Sequence, residues 1–234
     1  MRFEMALALV KRAEEHAKWI GDDHGDPYEE ALRTGIVTTD MKLALKEILD
    51  HLRSALDYSA REICEQVTAV RAGVPIYFPI VGRSFKAADF RSRVGKLMPG
   101  VLNARPDLET ILASFQYFSD QKNWWLPDLA TLANETKHEQ LSVNEVGTVD
   151  ATFEYDDDGE LQISMKKPGG TTFVAGGLMM ADLPTGFVLD SRQLRIAATM
   201  KYLALPPIDQ ELLTFLKAAI PGTKNVISTL ASAI

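Results

Sequence analysis

From Asp40 to Val70 the chain keeps helical spacing for longer than anywhere else. Met41, Leu45, Ile48, Leu49, Leu52, Leu56, Ile63 and Val67 form one apolar arc on a helical wheel. Such a stretch has to be a long amphipathic helix, and its one greasy face needs other elements to cover it. Thr39 or Asp40 is the expected N-cap. The polar side is more distinctive, because Asp50, Arg53, Asp57 and Arg61 run along it as a ladder. Arg53 borders the arc, and the other three lie behind it. Arg53 with Asp57 and Asp57 with Arg61 are i,i+4 pairs. Read as a solvated ladder, each pair is worth about 0.3–0.5 kcal/mol. Arg53 is the member best placed to reach a neighbouring helix, and Arg61 is expected in solvent.

The rest of the chain offers partners for that helix. Phe3, Ala6, Leu7, Val10, Ala13, Ala17 and Ile20 give a first helix ending near Gly21, followed by a polar loop with at most one short helical turn. Pro75 and Pro79 exclude a regular helix across AGVPIYFPIVGRS, which reads as an extended, buried strap. Short helices are expected from Ser84 to Lys96, stopped at Pro99-Gly100, and from Asp107 to Tyr117. The aromatic run FQYFSDQKNWWLP suits a plug at the end of a bundle. Pro127 then sits in the first turn of a helix reaching about Gln140. After Leu141 the period changes to alternation on both sides of DDDG, a hairpin signal. Thr171 to Val174 and Gly186 to Leu189 read as further strands. Arg192 to Leu205 is a helix or a long strand. Asp209 to Ala219 reads as a helix, Pro221-Gly222 as a turn, and Thr223 to Ile234 as a last helix. The expected fold class is α+β, mainly α: a helical bundle over 1–141 and a small β-containing region with C-terminal helices over 142–234.

Composition narrows the function classes. A net charge of −7 argues against nucleic-acid or membrane binding through the whole surface. The single cysteine, Cys64, rules out an internal disulfide framework and suits a reducing compartment. No apolar run is long enough to span a bilayer, and MRFEMALALVKRAEEHAKWI reads as an amphipathic helix and not a signal peptide. The expectation is a cytoplasmic protein. Asp156-Asp157-Asp158-Gly159 lacks the rest of a calcium loop. Neither Pro168-Gly169-Gly170 nor Pro221-Gly222-Thr223-Lys224 completes a phosphate loop, so no cofactor is expected.

Three separated segments, HLRSALDYSAREI, YFPI and LATLANETKHEQL, occur in the same order as in a group of uncharacterised bacterial proteins, which this chain resembles. That group carries an LRSALDH-type helix, an FPI segment and a later N-x-x-KH helix. More loosely, a helical bundle with a late Asn-x-x-x-His helix resembles the HEPN superfamily. Many members of that superfamily are dimeric RNA-cleaving toxins or defence proteins, with an Arg followed four to six residues later by His. Here Asn134 and His138 match the second half of such a motif, and Ala133 stands where the Arg would be. The resemblance therefore implies a non-enzymatic or catalytically degraded HEPN-like protein. It would act by association with a second copy or another protein, in phage defence or on a mobile element.

The alternative is a metal-independent endoribonuclease. Metal-free RNA cleavage needs a group titrating near working pH and a cation beside the phosphorane. His138 would be the first and Lys137 or Arg53 the second, with Asn134 and Asp57 beside them. The structural reading of the same residues is a hydrogen-bonded polar plug that fixes helix register. A metal site is the third reading, on Glu135-x-x-His138 and the Glu47/His51 pair. Carboxylate-bridged bundles need two Glu-x-x-His units and two further glutamates, and only one unit is present, so no metal ligand is assigned. His16 and His24 lie among residues that look solvated. Cys64 reads as a buried, inert thiol.

Overall fold

The computed structural model describes residues 2–21, 26–68, 73–138, 145–155, 161–166, 172–176, 196–208 and 210–234, with side chains described through 135 and again from 203. The fold is α+β and mainly α: a helical bundle with a small antiparallel sheet towards the C-terminus.

Helix α1 (Arg2–Gly21) and helix α3 (Thr39–Val67) pack antiparallel through their apolar stripes. The Arg2 amide donates to Glu62 at 2.9 Å near one end, and His16 meets Glu47 at 3.0 Å towards the other. The cap of α3 is Thr38, one residue earlier than expected. Its Oγ1 accepts the Met41 amide at 3.3 Å. The connection between these helices holds α2 (Pro27–Thr34), longer than the single turn expected there. Its sequence carries every local signal a short helix needs. Asp26 accepts the Glu29 amide at 2.7 Å, Pro27 opens the helix, and Gly35 closes it at φ 76°.

The strap follows α3 without joining a helix or a strand, and Ile76, Phe78, Ile80 and Val81 are buried in the core. Three short helices come next: α4 (Phe90–Leu97), α5 (Val101–Ala104) and α6 (Leu108–Ser114). Gly100, at φ 79°, makes the expected stop between the first two. Helix α7 (Trp125–His138) packs on α3.

The sheet has the order β3-β2-β1-β4-β5, every pairing antiparallel. Its strands are β1 (Glu145–Tyr155), β2 (Leu161–Lys166), β3 (Thr172–Gly176), β4 (Ile196–Leu205) and β5 (Gln210–Glu211). The hairpin expected around DDDG is the β1–β2 pair, with Tyr155 opposite Leu161; its turn lies outside the described residues, as does the strand expected at Gly186 to Leu189. Of the undecided segment Arg192 to Leu205, the described residues, from Ile196, are a strand. Nine residues of β1, from Glu145 to Phe153, pair with it, so strand pairing decides what local propensity left open.

The chain ends in α8 (Leu212–Ala233), which packs on α1, α3 and α7. The turn expected at Pro221-Gly222 is absent: one helix runs straight through it. The buried stripe Phe215, Leu216, Ala219, Ile220, Thr223, Val226, Ile227, Leu230 keeps its phase across the proline. A proline inside a helix costs about 3 kcal/mol. Burying Val226, Ile227 and Leu230 returns about 1.5–3 kcal/mol each, so the helix wins. Gly222 serves close packing and not a turn, because a Cβ there would stand 2.4 Å from Cε2 of Trp125. Among the described residues no helix is long and apolar enough to cross a membrane.

Candidate functional site

Helical periodicity sets Arg53, Asp57 and Arg61 one above another on the side of α3 that faces the strap. Among the described residues the strap has no strand partner; the Tyr77 amide donates to the Leu97 carbonyl at 3.2 Å and the Ile80 amide to the Phe78 carbonyl at 3.0 Å, and side chains satisfy other amides and carbonyls. Asp57 Oδ1 accepts the Phe78 amide at 2.8 Å, and Oδ2 accepts Arg53 Nε at 3.2 Å. Arg61 donates to the Val74 carbonyl at 2.8 Å and to Glu65 at 2.6 Å. Arg61 is therefore not the solvated residue expected of it; only 22% of its side chain is exposed. Gln116, fully buried, supplies the other anchor. Its Nε2 donates to the Pro79 carbonyl at 2.9 Å, and its Oε1 accepts the Val81 amide at 3.3 Å. Where the strap leaves the core, Arg83 reaches buried Asp128 at 2.7 Å and lies over the Tyr117 ring. Burial pushes the Asp128 carboxyl above its ordinary range, against the opposing pull of Arg83.

A cleft of about 350 Å3 opens where α3, the strap, α4 and α7 meet. Arg53, Asp57, Tyr77, Arg93 and Asn134 line it, over an apolar floor that includes Phe78. The structure thus brings together three residues singled out in the sequence, Arg53, Asp57 and Asn134. Lys137 and His138 end α7 three and four residues beyond Asn134, and their side chains lie outside the described residues. Arg93 and Tyr77 were not singled out. Nothing in FRSRVGK separates Arg93 from Arg91, which pairs with Glu109. Tyr77 carried a signal, being the middle residue of an extended apolar run that must turn alternate side chains outward. It is 47% exposed between buried Ile76 and Phe78.

A second groove, of about 340 Å3, lies on the other side of Asp57 and includes Arg2, Tyr58 and Arg61. Its cations are already engaged, since Arg2 and Arg61 both bind Glu65 and hold that carboxyl below its usual range. His16 is not simply solvated. It pairs with Glu47 and stacks on His51, with ring centroids 6.0 Å apart, and His24 lies outside the described residues. Among the described residues, no three His, Cys, Asp or Glu side chains gather as a metal site. Cys64 is buried and free, its thiol pushed up to about 12 by burial, which suits an inert thiol.

The described cleft offers guanidinium and amide donors and an aromatic face, and its carboxylate is occupied on both oxygens. Comparison with protein-family models, with curated proteins and with solved structures finds no match to this chain.

Proposed function

We propose that this chain is a HEPN-like helical scaffold that works by binding and not by catalysis, with the cleft beside the strap as its recognition site. The observation that carries this reading is the state of Asp57. One oxygen accepts the Phe78 amide and the other accepts Arg53, so the carboxylate is committed to holding the strap and the wall of the cleft. Ala133, where the superfamily's motif has arginine, points the same way. A second copy or another protein is the partner class that goes with this reading, in the cytoplasm of a bacterial cell.

One observation favours the endoribonuclease as a second reading. Asn134 lines the same cleft as Arg53, and His138 follows it by four residues on α7. Incubating RNA with the wild type and with His138→Ala in EDTA separates the two. The binding reading expects no cleavage by either protein. Cleavage by the wild type that His138→Ala abolishes would replace it with a nuclease using His138, Lys137, Arg53 and Asn134. Elemental analysis of the purified protein tests the metal-binding bundle, and stoichiometric iron, zinc or manganese would revive it.

A further inference from the structure

We propose that the histidine pair on the seam between α1 and α3, His16 with His51, is an acid-sensitive clasp. Charging both rings loosens the C-terminal half of α1 from α3, while the N-terminal half stays anchored.

Antiparallel packing sets residue 16 of α1 opposite residues 47 and 51 of α3, which lie one turn apart. His16 Nε2 lies 3.0 Å from Glu47 Oε2. Its ring stacks on that of His51, with centroids 6.0 Å apart and planes inclined by 27°. With one proton between the two rings the arrangement is favourable, an imidazolium on Glu47 beside a neutral ring. A second proton sets two cations face to face. The charged groups that bear on His51 are His16 and Arg12 from α1, and Glu47 and Asp50 from its own helix. Burial first, and then the charges of His16 and Arg12, hold the His51 pKa below the ordinary histidine value of about 6.5. Glu47 and Asp50 pull the other way and are outweighed. A histidine lowered in this way adds stability that is complete above about pH 6.5 and is lost as pH falls through the lowered value.

The two halves of α1 are held by different means, which makes the response local. At the N-terminal end the Arg2 amide donates to Glu62 at 2.9 Å, and its guanidinium donates to Glu65 at 2.8 and 3.1 Å. Arg2 and Arg61 hold the Glu65 carboxyl below its usual range, so this anchor keeps its charges where histidine titrates. Around His16 the support is looser. On its α8 side this half of α1 borders a groove of about 190 Å3, lined by Ala17, Lys18, Leu213 and Leu216 among others. The ion pair that spans α1 and α8 there, Lys224 with Glu14, is long at 3.5 Å.

Proton NMR of the full chain across the histidine range reads the pair directly. His51 should titrate below about 6.5, and His16→Gln should move its midpoint upward. Hydrogen exchange at about pH 5 and about pH 7, corrected for intrinsic rates, reads the clasp. Amides of residues 12–20 should lose protection about threefold or more at the lower pH, and those of residues 4–9 less. His51→Phe keeps the stack and takes no proton, so its protection over 12–20 should be nearly the same at both pH values. His51→Gln repeats the comparison with a smaller neutral side chain, in case the larger ring disturbs packing. A His51 midpoint at or above about 6.5 overturns the proposal. So does an acid loss of protection over 12–20 that persists undiminished in both variants. Equal loss over 4–9 and 12–20 overturns the anchored half and leaves a helix that opens as one piece.

Discussion

The strap and the sheet are both extended backbone, and they satisfy their polar groups by opposite means. In the sheet, β1 lies between β2 and β4 and takes its hydrogen bonds from ladders on both sides. These bonds are backbone to backbone, so exchanging one side chain leaves them in place. The strap has no ladder. It depends on Asp57 and Arg61 from α3 and on Gln116 beyond α6, each holding one or two backbone atoms. An extended segment can therefore be buried in a helical bundle, but only by concentrating its stability in a few polar side chains. The arrangement also helps fix the cleft, because Asp57, which holds the Phe78 amide, forms part of its wall.

The largest test of this contrast is Gln116→Leu. It fills the same space and leaves the Pro79 carbonyl and the Val81 amide buried without partners, at about 1–3 kcal/mol for each orphaned group. Chemical denaturation should show a loss of roughly 2–5 kcal/mol. A loss below about 1 kcal/mol would mean that the strap finds other partners and the contrast is false. Asp57→Ala comes next, at about 1.5–3 kcal/mol, since the Phe78 amide loses a charged acceptor and Arg53 its ion pair. Hydrogen exchange sharpens both results. Asp57→Ala should selectively speed exchange at Phe78, and Gln116→Leu at Val81, with the β1 amides unchanged in either variant. Equal acceleration in β1 would show that strap and sheet open as one unit. Arg61→Ala should cost less, about 0.5–1.5 kcal/mol, because the Val74 carbonyl it serves is nearer solvent.

The same contrast explains what could be read from the sequence. The β1–β2 pair was legible because alternation on both sides of a turn is a local signal, and α3 because its stripe persists over many turns. The strap was legible as extended and buried from its prolines. Its anchors were not. Asp57 and Arg61 were conspicuous, but i,i+4 spacing is equally natural for a solvated ladder, and only the tertiary neighbour shows that they face backbone. Gln116, a lone amide inside FQYF, carried a weak signal that went unused. Pro221-Gly222 misled for the reverse reason. Local chemistry says turn, while the buried stripe on both sides and the Trp125 ring against Gly222 decide for helix. Of the candidate site, the approach of α3 and α7 was expected, whereas the strap's place in it was not, and Arg93 arrives from a short helix whose placement no local pattern reveals.

The smallest effect comes from the charge at the strap's exit, and there pH supplies the test. Burial raises the folded-state pKa of Asp128 even with Arg83 attached. A carboxyl whose pKa is raised on folding adds stability that is fully present below the ordinary aspartate range and is lost as pH rises through the raised value. The ionised pair is thus a tether whose desolvation outweighs its attraction. Asp128→Asn keeps an oxygen for Arg83 to donate to and removes the charge. It should match the wild type at strongly acid pH and melt at the same or a slightly higher temperature near neutrality. Asp128→Ala, which removes the acceptor as well, should be less stable than Asp128→Asn at every pH. If Asp128→Asn is clearly destabilised at neutral pH, the Arg83 ion pair itself holds the strap. The exit from the strap would then depend on charge, unlike Gln116, which holds the strap by neutral hydrogen bonds alone.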